Sequence, residues 1–330
     1  MEYRQLGSSD LTISAVTLGA WGIGGFMWGG QDDDDAIAAI RRSIDLGVTT
    51  IDTAPVYGTG HSEELVGEAI KPYDRDKLQI LTKFGLRWDG KGEGKFSMKD
   101  ADGTVKSIVN NGTKESILEE CDASLKRLGT DTIDLYQQHW PCSGTPVEES
   151  MEAVNQLLKQ GKIRAAGVSN FDVALLDRAR AVAPIVSLQP PYSMVRRGAE
   201  EELLPYCIRE GLGVVCYSPM QLGLLTGKVT MDREFPETDV RRTNPYFKPE
   251  NRRKVLDFLA KIQPIAEAHN ATLAQLVINW TVHRQGITAA LVGARNEQQA
   301  TENAAALDFT LTHEDTTQID ALLSVVELDL

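Results

Sequence analysis

Eight short apolar runs punctuate this chain, and each leaves room behind it for a loop and an amphipathic helix. The runs are Val16–Gly19, Thr49–Thr53, Leu78–Lys83, Ile133–His139, Ile163–Ser169, Ile185–Gln189, Val214–Ser218 and Ala289–Gly293. A strand that is apolar along its length is covered on both faces, and a helical return lays the next strand parallel to it. The expected fold class is therefore α/β, a (β/α)8 TIM barrel. The 330 residues, 42% hydrophobic, could fill one large barrel or two ordinary domains. No domain boundary and no repeat of roughly 20–50 residues breaks the alternation, so a single domain over 1–330 is expected.

Local signals agree with that count. Asp32–Asp35 can cap a helix running to about Leu46, where Gly47 stops it. Thr113 opens a second helix, to about Leu128 with Gly129 after it, and Pro146 with Glu148 and Glu149 opens a third ending at Gly161. Ahead of the first strand, Tyr3–Leu6 and Leu11–Ser14 flank Gly7-Ser8-Ser9-Asp10, a hairpin placed to plug the bottom of a barrel. Two stretches break the rhythm and read as long loops after strands three and seven: Phe84–Gly112, rich in Gly, Lys and Asp, and Thr226–Arg253, rich in Arg, Pro and Glu. Barrel enzymes build their active sites from such loops.

Asp52, Lys83 and His139 stand at the carboxyl ends of the second, third and fourth strands, which converge in a parallel barrel, and Tyr57 follows Asp52 in the adjoining loop. Together these groups suit carbonyl reduction. A developing alkoxide needs a proton donor, an ammonium from Lys83 would lower the pKa of the Tyr57 phenol, Asp52 would hold Lys83, and His139 would donate a hydrogen bond to the substrate oxygen. Taken singly, each has an ordinary structural explanation as a helix cap, a solvated lysine, a packed ring or a core histidine. Their joint placement favours chemistry.

Six segments in chain order strengthen that reading: LGVTTIDTAPVYGTGHSEELVGEAI, ILTKFG, RLGTDTIDLYQQHWP, GKIRAAGVSNF, CYSPMQLGLLTGK and VGARNEQQATEN. With them the chain resembles the aldo-keto reductase family from about Tyr3 to Ile319. The resemblance implies a catalytic tetrad of Asp52, Tyr57, Lys83 and His139, with Tyr57 as general acid, in an NADPH-dependent reductase of aldehydes or ketones that also runs in reverse. It further implies that Ser169, Asn170 and Gln189 hold the nicotinamide carboxamide and that Tyr217 stacks beneath the ring. The pyrophosphate would lie on Ser218-Pro219-Met220-Gln221-Leu222-Gly223-Leu224-Leu225, where main-chain N–H groups and a glycine let an anion approach.

The last segment, with Gly293, Arg295, Gln299, Glu302 and Asn303, is similar to the family's grip on adenine and a 2′-phosphate, for which Arg295 is the charge partner. Gly293 and Gln299 stand where many relatives carry Lys and Arg, so the expected cofactor is NADP(H), with NAD(H) also admitted. Trp21, Trp28, Trp88 and Trp140 follow strands and suggest an aromatic substrate pocket, and Arg241 and Arg242 could fold over the cofactor's phosphates.

Other classes fit less well. In Gly19-Ala20-Trp21-Gly22-Ile23-Gly24-Gly25 the dinucleotide fingerprint fails at Met27, and the segment continues into Phe26, Met27 and Trp28 as a pocket-lining loop. A metal-dependent hydrolase or isomerase would need convergent histidines, yet of five only His139 ends a strand, so no metal is expected. A redox-sensing regulatory subunit of the same fold is the alternative to an enzyme. A net charge of −13 argues against nucleic-acid or anionic-membrane partners and leaves small molecules or proteins, of which the resemblance implies a small-molecule carbonyl or alcohol. Four dispersed cysteines, no leader-like N-terminus and no long apolar span suggest the cytoplasm. Physiological substrate, direction and oligomeric state are left open.

Overall fold

The computed structural model describes residues 1–25, 27–28, 30–99 and 104–330. Strands β1 (Tyr3–Gln5) and β2 (Thr12–Ser14) form an antiparallel hairpin. Next come β3 (Val16–Gly19), β4 (Thr50–Asp52), β5 (Gln79–Phe84), the short β6 (Leu86–Arg87), β7 (Glu93–Lys99) and β8 (Val105–Asn110). Then follow β9 (Ile133–Gln138), β10 (Ile163–Ser169), β11 (Ile185–Gln189), β12 (Gly213–Cys216) and β13 (Ala289–Val292). Strands β3, β4, β5, β9, β10, β11, β12 and β13 close in that order into a barrel, every neighbouring pair parallel. These are the eight expected strands, each within two residues of its predicted ends.

Helices α1 (Asp33–Asp45), α2 (His61–Ile70), α3 (Lys114–Leu128), α4 (Val147–Lys159), α5 (Val173–Arg180), α6 (Leu203–Glu210), α7 (Pro249–Ala268), α8 (Leu273–Val282), α9 (Glu297–Ala304) and α10 (His313–Leu323) accompany the strands. Their ends are chemically marked. Asp32 accepts from the Asp35 N–H, with three aspartates in the first turn of α1 facing its positive end. Thr113 caps α3 and left-handed Gly129 closes it, while Pro at the first turn opens α7, where its missing N–H costs nothing.

Both irregular stretches hold more order than expected. In the first, β6, β8 and β7 pair as an antiparallel sheet, Phe96 opposite Ile108 and Lys99 opposite Val105. Pairing satisfies the backbone here, and Ile108 and Val109 anchor it by full burial, so glycine and lysine content misled. Residues 100–103 of that loop, and Phe26 in the loop after β3, lie outside the described residues. In the second stretch, single 3-10 turns at Val240–Arg242 and Pro245–Phe247 lead into α7, which already begins at Pro249. Among the described residues no helix is long and apolar enough to cross a membrane.

The hairpin closes one end of the barrel. Leu6, Leu11 and Ile13 bury themselves against Leu81, Leu135, Ala165, Val186, Val215, Ala289 and Leu291 of the barrel strands. Gly7 makes the insertion possible: its φ is +55°, and a Cβ there would stand 2.2 Å from the Val186 carbonyl oxygen and 2.7 Å from the Gly213 nitrogen. Overpacking and a left-handed non-glycine residue together cost about 2–5 kcal/mol. Gly7→Ala should therefore lower the thermal unfolding midpoint by several degrees. An unchanged midpoint in calorimetry would remove the plug from the list of stabilising features.

Candidate active site

The site is built on a buried ion pair. Asp52 closes β4 and Lys83 lies next to the end of β5, both essentially without solvent exposure. Lys83 Nζ donates to Asp52 Oδ1 at 2.5 Å, to the Thr53 carbonyl at 2.8 Å and to the Tyr57 hydroxyl at 3.4 Å, which uses all three of its hydrogens. Asp52 Oδ2 accepts from the side-chain amides of Gln189 at 2.9 Å and Gln137 at 3.2 Å. A charge pair removed from water persists only when its remaining valences are met, and here they are. Burial works against the Lys83 ammonium, but Asp52 and Tyr57 more than offset it and its pKa is raised.

Tyr57 hangs over the pair from the loop after β4, its ring 5.0 Å from Lys83 Nζ and edge-to-face with His139, centroids 5.8 Å apart. Burial pushes the phenol up and outweighs the opposing Lys83 charge, so its pKa is raised. The ammonium does lower it, as expected, but in a dry site the desolvation of a phenolate is the larger effect, so the net shift is upward rather than downward. Burial, then the Lys83 charge, hold His139 well below the ordinary imidazole range, so at neutral pH it is a neutral ring able to donate one hydrogen bond.

A cavity of about 730 Å³ opens above these groups at the carboxyl ends of the strands. Of the residues expected for the cofactor, Ser169, Asn170, Gln189, Tyr217, Ser218, Pro219, Met220, Leu222, Gly223, Gly293, Arg295, Gln299, Glu302 and Asn303 line it, whereas Gln221, Leu224 and Leu225 of the expected diphosphate segment are buried away from it. Ser169 donates to the Gln189 carbonyl, while Asn170 donates to the His139 carbonyl and accepts from the Tyr217 hydroxyl, so these two brace the wall.

Two features of the cavity fit a dinucleotide. Ser218, Gln221, Leu222 and Gly223 all have positive φ, and a Cβ at Gly223 would meet only Arg241 Nη1, at 3.9 Å, so backbone lies open to an anion. At the far end burial, then the nearby Arg241 charge, lower the Arg295 pKa, the mark of cationic groups wanting an anion. Arg295 donates to Gln31 Oε1 at 2.6 Å and to the Trp28 and Gly30 carbonyls, with no carboxylate partner among the described residues. Gln299 accepts from the Arg295 N–H, and Glu302 pairs with Lys228 at 2.7 Å.

The outer mouth is aromatic. Trp21, Trp28 and Trp140 line it, and Val56, Leu86 and Phe96 join them. Trp88 does not line the cavity: it packs against the cluster of Ala54, Val56, Leu86 and Ile108. Arg241 lines the cavity and is held by Asp239 at 2.6 Å, whereas Arg242 turns toward Glu237 and the Phe235 carbonyl, outside the lining. No group of three or more His, Cys, Asp or Glu that could hold a metal occurs among the described residues.

Comparison with known proteins decides the lineage: the profile of the Aldo/keto reductase family matches residues 15–324. The chain belongs to the aldo/keto reductase family. It is 38% identical to aldo-keto reductase YhdN of Bacillus subtilis, over 98% of this chain and 94% of that one. It is 36% identical to an NADH-specific methylglyoxal reductase of Escherichia coli, over 99% and 100%. Among solved structures, a glycerol dehydrogenase of Gluconobacter oxydans superposes with a TM-score of 0.87 at 36% identity, covering 98% of this chain and 96% of the other.

Three residues of this aldo/keto reductase that the sequence reading passed over touch the site or brace the chain beside it. Gln137 sits inside a strand and Phe96 in what looked like loop, and only the register of β9 and the pairing of β7 reveal them. Glu120, on α3, accepts from the Gly85 N–H and the Ser116 hydroxyl, each at 2.9 Å, and so ties down the chain just beyond Lys83. Burial pushes its pKa up to about 7. The folded protein thus holds a proton that the unfolded chain releases near pH 4.5, and stability falls as pH rises between those values, by on the order of 3 kcal/mol. Urea unfolding at pH 5 and pH 8 should show that fall in the wild type and lose most of it in Glu120→Gln. An equal fall in both would place the titration elsewhere.

Proposed function

We propose that this aldo/keto reductase is an NAD(P)H-dependent oxidoreductase that reduces small aldehydes and ketones, and oxidises the matching alcohols, with Tyr57 as the proton donor. The observation that carries this reading is the direction of one hydrogen bond. Lys83 has only donors, so the Tyr57 oxygen accepts from it and the phenol's own hydrogen turns away, toward the cavity. A substrate oxygen placed there meets a proton donor on one side and the neutral ring of His139 on the other.

Each neighbour then has a stated task. Lys83 stabilises the negative charge that appears on Tyr57 as it gives up its proton, Asp52 keeps Lys83 charged and in place, and His139 orients the carbonyl. The raised pKa of Tyr57 keeps it protonated at neutral pH, as a donor requires. Bound nicotinamide dinucleotide supplies the hydride. Ser169, Asn170, Gln189 and Tyr217 would hold its nicotinamide end, the backbone at 218–225 its diphosphate, and Arg295, Gln299, Glu302 and Asn303 its adenosine. Arg295 offers charge to a 2′-phosphate, but its donors also hold the Trp28–Gln31 loop, which supports use of both NADPH and NADH. The names of two relatives, a methylglyoxal reductase and a glycerol dehydrogenase, agree with small polar carbonyls or alcohols as substrates.

The test pairs binding with turnover. Wild-type protein should consume NADPH or NADH with at least one member of a panel of aldehydes, dicarbonyls and sugars. Tyr57→Phe should lose roughly 10²–10⁴-fold in turnover while quenching of tryptophan fluorescence by either dinucleotide stays within a few-fold of wild type. Turnover by Tyr57→Phe within a few-fold of wild type would sink the assignment of the proton donor.

A further inference from the structure

Beneath the cavity floor, two glutamine side chains meet the catalytic carboxylate. Gln137 is fully buried on β9, where it stands opposite Lys83 of β5 on one side and Gly167 of β10 on the other. A Cβ at Gly167 would lie 3.2 Å from the Gln137 Cγ and 2.4 Å from the Ser187 hydroxyl, so the missing side chain leaves the room that the amide fills. Gln137 Nε2 donates to Asp52 Oδ2 at 3.2 Å, Gln189 Nε2 donates to the same oxygen at 2.9 Å, and Gln189 Nε2 also donates to Gln137 Oε1 at 3.2 Å.

The orientation of both amides follows from chemistry. A carboxylate accepts and cannot donate, so each glutamine must turn its NH₂ toward Asp52. Gln137 then presents only its oxygen to Gln189, and that oxygen takes the second hydrogen of the Gln189 amide. With both hydrogens engaged inside the barrel, Gln189 has its carbonyl oxygen left over, with no hydrogen-bond donor among the described residues, in a side chain that lines the cavity. That oxygen is an acceptor suited to a carboxamide N–H.

We infer that Gln137 is a positioning residue: it acts through Gln189 and Asp52, locking the Gln189 amide with its oxygen toward the cofactor while adding a hydrogen bond to the carboxylate that holds Lys83. The inference rests on the dinucleotide reading given under Proposed function. One hydrogen-bonded triangle thereby links the group that anchors Lys83 to the group that meets the nicotinamide, and an apolar residue at 137 would free Gln189 to turn over.

Two variants separate this from simple packing. Gln137→Met has similar length and no hydrogen bonds. Gln137→Glu reproduces glutamine when protonated, since a carboxylic acid donates once to Asp52 and accepts once from Gln189; when ionised it sets a second carboxylate against Asp52. The titratable groups around the position are Asp52, Lys83, Tyr57 and His139, and β10 and β11 offer only Gly167, Ser187 and Gln189, none of them charged.

Dissociation constants for NADH and NADPH, read from tryptophan quenching and expressed relative to wild type at each pH, should follow that logic. Gln137→Glu should bind within about threefold of wild type at pH 5.5 and at least tenfold more weakly at pH 8.5, with a parallel relative drop in the melting temperature of the protein measured without dinucleotide. Gln137→Met should be weakened about five- to tenfold at both pH values. Wild-type binding by Gln137→Met, or a loss in Gln137→Glu that ignores pH, would overturn the inference. The two readings fail separately: pH-dependent dinucleotide binding with no carbonyl turnover in the wild type would keep Gln137 in its place and remove the reductase.

Discussion

The ion pair between Lys83 and Asp52 is the contact around which this protein is organised. Two opposite charges at the centre of a barrel are costly to bury, and they stay charged only because the surrounding backbone and amides complete their hydrogen bonding. Those partners come from three separate parts of the barrel: Thr53 and Tyr57 follow β4, Gln137 lies on β9 and Gln189 ends β11. The closed barrel is what brings them within reach of one another. In turn, its opposite end must be sealed, and the hairpin with Leu6, Leu11 and Ile13 does so. Stability and chemistry are thus assigned to opposite ends of the same strands.

Above the pair, the loops convert a charged floor into a selective cavity. Aromatic side chains from the loops after β3 and β9, together with Phe96 from the small antiparallel sheet, narrow the mouth and leave the polar groups at its base. Low access to water strengthens every interaction within it and explains why the Tyr57 phenol is held protonated even beside an ammonium. At the Arg295 end of the cavity the loop around Trp28 meets the loop around Asp239, and Arg295 and Arg241 sit at that seam, so charge and closure are shared by the same residues.

Much of this was legible in the sequence, and the reasons are particular. The eight strands could be read because doubly covered strands are apolar throughout, and Asp52, Lys83 and His139 stood out as polar residues at their ends. Ordered motifs then placed Tyr57 and the cofactor segments. What escaped depends on pairing and side-chain direction. Trp88 looks like its fellow tryptophans, but its ring packs against the Ala54, Val56, Leu86 and Ile108 cluster instead of lining the cavity. Gln137 looks like one of two strand glutamines until the register sends it inward beside Asp52. Glu120 hides in an amphipathic helix whose buried face accepts a backbone N–H from across the layer. The sign of the Tyr57 shift could not be read from a neighbouring charge alone, because it depends on how much water the fold removes.

The central claim is that Tyr57, with Lys83 donating to its oxygen, is a neutral phenol whose proton is available to the cavity. Carbon-13 NMR of protein labelled at the tyrosine ζ carbons, with the Tyr57 signal assigned by its absence in Tyr57→Phe, reads that state directly. The Tyr57 resonance should keep the chemical shift of a phenol through pH 9 and begin to move only above the ordinary tyrosine range. A phenolate shift at pH 7–8 would contradict the account, since Lys83 would then be stabilising an anion and no proton would face the substrate.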